Sequence, residues 1–405
     1  MNPVKEISLF KLGSIPAWSL VCFIILSLLG VVLRLMVLIN IPGLNYMFLL
    51  HAHSHFAFSG WIFLIISYLI TVPLADENNK SSYRPIFLLT LISAFGMLIS
   101  FAVQGYKLIP ISFSTLFIIV NFWFSVKVWR DKKLATVYNR LSRRLIRASL
   151  VFLCLSALGP FALRAIMAAG LKGNTLYNNA IYFYLHFQMN GWMILSILGL
   201  TFNTADKGFK CADKRTAYLF GTFIWSAIPL YFIFTLWSSG NLLLRSVALT
   251  GSVLNMVSWF YLLKKALQLS GLNILVKTAL TAITLKVIFQ LLIGIPDVGV
   301  LVFPNRNLVI GYIHLLTLGA IMPLILAQLK SQGFIQAKQT SNIDYLFLAS
   351  VVIYITLLFL QPALAYFSIR FPDYPAALFL ISVVLLLTGI LYTRSAWKSL
   401  SGQKQ

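Results

Sequence analysis

Charge is scarce in this 405-residue chain, and negative charge is scarcer still. Only 10% of residues are charged, where soluble domains carry about 25%, and nine Asp and Glu stand against 32 Lys and Arg. A water-facing surface cannot be built from so few charges, which excludes an ordinary soluble domain. Cysteine is limited to Cys22, Cys154 and Cys211, far apart in the chain, with no spacing suited to a zinc or iron–sulfur site and no Cys-x-x-Cys-His haem attachment. Histidine is limited to five residues. All nine acids (Glu6, Asp76, Glu77, Asp131, Asp206, Asp213, Asp297, Asp344, Asp373) fall in tails, in loops or at the ends of apolar runs. No apolar run therefore carries a carboxylate at its centre.

What the chain has in abundance is apolar sequence, at 60% of residues. Runs of about 20 residues, long enough to cross the hydrocarbon core, recur from Pro16 to Thr393. Twelve spans are predicted, at 16–39, 46–73, 85–105, 108–129, 145–169, 177–203, 216–236, 240–263, 269–293, 306–329, 344–369 and 374–394. The first follows a polar start without a small-residue cleavage site and reads as a retained helix. The fold expected is all-α, a single transmembrane domain over 1–405 with a bilayer as its principal partner. The net charge of +23 does not indicate nucleic acid, because 23 of the 32 basic residues lie in alternate loops and both tails. The segment 127–147 alone holds eight of them. By the positive-inside bias both termini are expected in the cytoplasm of a bacterial-type inner membrane.

A motif recurs every four spans. Span 2 has His55-Phe-Ala-Phe-Ser-Gly60-Trp61, span 6 has His186-Phe-Gln-Met-Asn-Gly191-Trp192, and span 10 has His314-Leu-Leu-Thr-Leu-Gly319-Ala320. The span before each carries a cation: Arg34, Arg164 and Lys286. Three pseudo-threefold repeats of four helices follow, over about 15–144, 145–268 and 269–395. A glycine at a fixed offset lets a neighbouring helix, or a flat cofactor, come close to the backbone. All five histidines (His51, His53, His55, His186, His314) belong to these motifs. A lone intramembrane His is commonly a satisfied interhelical hydrogen bonder, but five confined to one level of three equivalent spans suit metal or haem ligation better. On a helix, His51 and His55 share a face while His53 points about 160–200° away, so one helix could serve two sites. Arg34, Arg164, Arg245 and Lys286 lie within spans that hold no carboxylate. Snorkelling relieves such cations, and the propionates of a haem would pair with them. A zinc or copper ion on His51, His55 and one further His is the other arrangement available. It lacks the thiolates usual in structural zinc sites and the carboxylate frequent in catalytic ones.

The segment His51-Ala-His-Ser-His-Phe-Ala-Phe-Ser-Gly60-Trp61 resembles the His-x-His segment of the C-family haem–copper oxidases, a group related to the nitric oxide reductases. In that family two such histidines bind different haems from one helix. Twelve helices with ligands on helices 2, 6 and 10 are also features of haem–copper oxidase subunit I. The stretch Gly311-Tyr-Ile-His314-Leu-Leu-Thr-Leu-Gly319-Ala320 is similar to nitric-oxide-response membrane haem proteins of the NnrS type. The chain differs in placing its multiple histidines on span 2 and in having none on span 7, so the family's three-histidine copper site does not carry over.

The resemblance implies an integral-membrane protein with haem, b-type, and copper as a further candidate, ligated by His51, His53, His55, His186 and His314. Arg34, Arg164 and Lys286 would lie on the propionate side. The expected role is respiratory electron transfer or oxygen and nitric oxide chemistry, as an oxidoreductase. The implied partners are other respiratory subunits or an electron-donor cytochrome, and a small gas ligand. Two rivals stand beside it: a non-redox transporter or channel with an intramembrane histidine cluster, and a gas-binding tolerance protein without turnover.

Overall fold

The computed structural model describes residues 12–75, 80–204, 214–238, 240–268 and 272–402. Among these every regular element is helical. Eleven helices are long and apolar enough to cross a membrane. They are α1 (Ile15–Leu38), α2 (Tyr46–Leu74), α3 (Ser82–Gln104), α4 (Leu108–Arg130) and α5 (Arg140–Ala168). After an intervening helix come α7 (Lys214–Ser238), α8 (Leu242–Leu267), α9 (Ile274–Ile293), α10 (Arg306–Ser331), α11 (Ser341–Tyr366) and α12 (Tyr374–Ser399). The intervening α6 runs helically over 175–204 but is not among the eleven. Its middle carries His186, Gln188 and Asn190, all nearly inaccessible, and this polarity lowers its hydropathy. Large apolar side chains project outward along the helices, among them Ile99 (62% exposed) and Val103 (74% exposed). Side chains of this size find a favourable surround only in lipid. The protein is a multi-pass helical membrane bundle.

Helix starts follow a simple chemistry. Asn45, Asn139, Asn174, Asn241, Asn273 and Asn305 each precede a helix and accept a hydrogen bond from a backbone N–H of its first turn. The bonds run from 2.8 Å at Asn139 and Asn174 to 3.3 Å for the longer of two at Asn241. In apolar surroundings an orphaned first-turn donor is costly, and each cap is worth about 1 kcal/mol. The cap at Asn139 starts α5 five residues ahead of its predicted beginning. It brings Arg140, Arg143 and Arg144 into the helix beside Arg147, while Leu141, Leu145 and Ile146 are buried on the other side.

Contacts divide the chain into two compact units. The first takes the described residues of Met1–Phe124, Leu329–Ile343 and Ser382–Gln405, and the second takes Ser125–Gln328 and Asp344–Ile381. In the first, α1 packs on α2, with Phe23 against Trp61 at 5.0 Å. Aromatic contacts such as Phe63 to Phe117 (5.2 Å) tie α2 to α4. In the second, α5 lies along α6, α7 pairs with α8, and α9 packs beside the middle of α10.

Two helices of the second unit are broken by proline. Pro160 interrupts α5 at Ala157, since proline lacks the N–H and crowds the preceding turn. In α7, Pro229 stands at the change to a tighter 3₁₀ stretch, Tyr231–Ser238. The Tyr231 N–H bonds to Ile228 and Pro229, so the carbonyl of Ala227 loses its ordinary helical donor.

Candidate functional site

Each recurrent histidine is followed by a π-helical segment of seven residues: Ala57–Phe63, Phe187–Met193 and Leu315–Ile321. Well under 1% of residues in proteins are π-helical, so three such segments at one motif position are not incidental. A π turn inserts a residue, leaves a backbone carbonyl short of a donor and swings the following face around the axis. Ser59 Oγ donates to the His55 carbonyl at 2.8 Å, and Thr317 Oγ1 donates to the Ile313 carbonyl at 2.9 Å. The segments of α6 and α10 pack against each other inside the second unit.

In the first unit α2 presents its histidines on two sides. His55 stacks on Phe101 at 4.4 Å with an interplanar angle of 12°, and its Nε2 hydrogen-bonds Tyr106 Oη at 2.8 Å. His51 meets the same Tyr106 ring edge-on at 4.6 Å. Tyr106 is placed by a tight turn in which Gly105 has φ +62° and a Cβ would strike the Phe48 ring. That conformation and that closeness both require glycine. His53 faces α1, its Cε1 being 3.5 Å from where a Cβ on Gly30 would stand. Arg34 lies one helical turn further along α1 and is half-buried.

In the second unit a buried polar chain crosses four helices. His186 Nε2 contacts the carbonyl oxygen of Ala227 at 2.7 Å. A carbonyl can only accept, so Nε2 carries the proton and Nδ1 is the lone-pair nitrogen. Asn190 Nδ2 donates to that Nδ1 at 3.3 Å. Gln290 Nε2 reaches Asn190 Oδ1 at 3.4 Å and Tyr312 Oη at 2.9 Å. Gln290 Oε1 is buried with no partner. The carbonyl left without its helical donor by the change to 3₁₀ in α7 is thus what fixes the His186 tautomer. His314 has the opposite one: its Nδ1 donates to the Ile310 carbonyl at 2.8 Å, which leaves Nε2 as the lone-pair nitrogen. This is the orientation usual for a metal-ligating imidazole.

The four span cations separate by burial. Arg34, Arg164 and Arg245 are half-buried, and Arg164 lies over the Phe161 ring at 5.6 Å. Lys286 is only 2% exposed. Among the described residues it makes no hydrogen bond or ion pair, and it sits one turn before Gln290 within electrostatic reach of His186. Partial exposure leaves the first three room to snorkel; Lys286 has none.

The motif glycines make room for protein groups. A Cβ on Gly60 would lie 2.6 Å from the Phe56 ring, one on Gly191 2.5 Å from Phe152 Cβ, and one on Gly319 3.3 Å from Ala282 Cβ. Trp61 and Trp192 are buried. Among the described residues no three His, Cys, Asp or Glu side chains gather into a metal-holding cluster. Cys22 is buried and Cys154 half-buried, both as free thiols, while Cys211 lies outside the described residues. Sequence reasoning passed over Tyr106, Asn190, Gln290, Tyr312 and the Ala227 carbonyl. Gln290, four residues after Lys286 in an apolar run, was the available signal.

Fold and site together define a class, the polytopic helical membrane protein with a buried polar centre. The chain matches no protein-family model and no curated protein.

Proposed function

We propose that this chain is an integral-membrane haem-binding protein of the haem–copper oxidase type, engaged in respiratory electron transfer or in oxygen or nitric oxide chemistry. The observation that carries the proposal is Lys286, an ammonium nine-tenths buried in a membrane helix with no counter-ion among the described residues. An isolated cation inside a bilayer is costly, and a ligand that brings its own carboxylates relieves that cost. Haem, when bound, supplies redox chemistry at iron and two propionates at its edge. His314 suits the iron, since donation from Nδ1 to the Ile310 carbonyl puts the ring lone pair on Nε2. Lys286 suits a propionate.

His186 fits less well as it stands, because iron at Nε2 would displace the Ala227 carbonyl. In the first unit His53 is the ligand candidate on the α1 side, with Arg34 as its cation. The His51/His55 pair with Tyr106 is the donor set for a second haem or a copper ion. The membrane is proposed to be a bacterial-type inner membrane with both termini cytoplasmic, and an electron-donor cytochrome or other respiratory subunits would be partners.

Purified protein from a haem-replete host is expected to show a Soret band and reduced α-bands, with haem and copper quantified by pyridine haemochrome and elemental analysis. Protein carrying neither would overturn the proposal. Oxygen and nitric oxide consumption then separates turnover from a gas-binding role.

One observation favours a second reading, a non-redox transporter with a histidine relay. The hydrogen-bonded series Ala227, His186, Asn190, Gln290, Tyr312 leaves Gln290 Oε1 open and satisfies both nitrogens of His186 without any metal. Proton flux into liposomes holding haem-free protein would support it.

A further inference from the structure

Arg140, Arg143, Arg144 and Arg147 stand at i, i+3, i+4 and i+7 on the first two turns of α5, forming one stripe of guanidinium groups. Like charges at these spacings, about 5–6 Å apart at Cβ, repel along a helix. The positive end of the helix adds to the repulsion, and the first turn of α5 contains no acid. Only Asp131 lies nearby in sequence, and its Oδ1 accepts from the Lys133 N–H at 3.0 Å.

The heads are nevertheless held in place. Arg143 Nη1 donates to the Ala135 carbonyl at 2.9 Å, and Arg144 Nη1 donates to the Ala217 carbonyl at 3.2 Å. Arg147 lies over the Trp129 ring at 5.2 Å with its Nε buried and unpartnered. A guanidinium has five N–H groups, so each head keeps donors to spare. The same face of α5 then turns apolar and open, with Val151 39% exposed, and Leu158, just past the break at Ala157, is 55% exposed. Trp129, 45% exposed, stands where interfacial tryptophans lie.

We infer that this stripe is a binding site for the phosphate groups of an anionic membrane phospholipid. A phosphate accepts two N–H bonds from a guanidinium fork and cancels the repulsion along the stripe. The acyl chains run along Val151 towards Leu158, with about 14 Å of unbroken helix between Arg147 and Ser156. A free anion would leave that apolar continuation unused, which is why a lipid is the occupant.

The test uses delipidated full-length protein in neutral detergent, titrated with dioleoyl phosphatidylglycerol, tetraoleoyl cardiolipin, dioleoyl phosphatidylcholine or inorganic phosphate. Thermal unfolding and native mass spectrometry give the readout. The two anionic lipids are expected to raise the midpoint and remain bound, with at least tenfold weaker binding in Arg140→Gln/Arg144→Gln. Lys264→Gln/Lys265→Gln is expected to bind like wild type. Equal effects from phosphatidylcholine, a full effect from inorganic phosphate, undiminished binding in the arginine variant, or equal loss in the lysine variant would each overturn the site. Should the arginine variant fail to fold, wild-type protein still decides. Phosphatidylglycerol with brominated chains should quench a fluorescence component absent from Trp129→Phe, and quenching no stronger than that by brominated phosphatidylcholine overturns the inference.

Discussion

Replacing Lys286 by Met separates the cost of a buried cation from its use. Met keeps the unbranched length and fills irregular space, so the change removes charge with little change of shape. A Lys near the centre of a membrane helix costs roughly 2.5–3.5 kcal/mol on insertion scales. With Lys286 2% exposed and no counter-ion among the described residues, Lys286→Met should stabilise the haem-free protein by about 2–3 kcal/mol. The opposite is expected once haem is present. A charge-assisted hydrogen bond is worth about 1.5–3 kcal/mol, so loss of the propionate partner should weaken haem binding about 10- to 100-fold. The assay is thermal unfolding in detergent of protein made without haem, followed by haem titration read at the Soret band. A less stable haem-free variant would refute the premise that Lys286 is uncompensated. A more stable variant with unchanged haem affinity would keep that premise and remove the propionate.

His314→Ala and His53→Ala should lose haem spectral features with membrane insertion intact, checked by absorbance of purified variants. Preserved spectra would remove those residues from the site. His186→Ala orphans the Ala227 carbonyl and the Asn190 amide, at about 1–3 kcal/mol for each buried group, so its unfolding midpoint should fall whether or not haem is bound. Gly191→Ala should cost about 1–3 kcal/mol, because the new methyl would lie 2.5 Å from Phe152 Cβ, an atom that cannot move without its backbone. Gly319→Ala, at 3.3 Å from Ala282 Cβ, needs a shift of only a few tenths of an ångström and should cost less than Gly191→Ala in the same experiment. Asn174→Ala removes the cap on Tyr177 N–H and should cost about 1 kcal/mol, measured by the same unfolding.

The places where sequence and structure part company share one cause. The predicted start of span 5 at 145 left out Arg140, Arg143 and Arg144, because charge weighs against a span whichever side of the helix it occupies. Once Asn139 caps the helix, those arginines share one face and Leu141, Leu145 and Ile146 fill the other. The predicted span 6 is present as a helix, yet its polar middle, which sets it apart from the other eleven, is where the hydrogen-bonded chain is assembled. The motif glycines were legible as sites of close approach. Which atoms approach them was not, since Phe152 comes from a different helix and Phe56 from the preceding turn of the same one.

Composition and residue order together determined that this chain dissolves in lipid, that its spans carry cations without internal carboxylates, and that its histidines concentrate in three similar segments. Local chemistry within a few residues governs those properties. Tertiary structure decided that Lys286 is sealed in while Arg34, Arg164 and Arg245 are only half-buried. It also decided that His186 donates through Nε2 while His314 donates through Nδ1. The His314 tautomer is set one turn away in its own helix, by the Ile310 carbonyl, whereas that of His186 depends on another helix. The 3₁₀ stretch in α7 turns the Tyr231 N–H away from the Ala227 carbonyl, and the histidine that answers it lies 41 residues away.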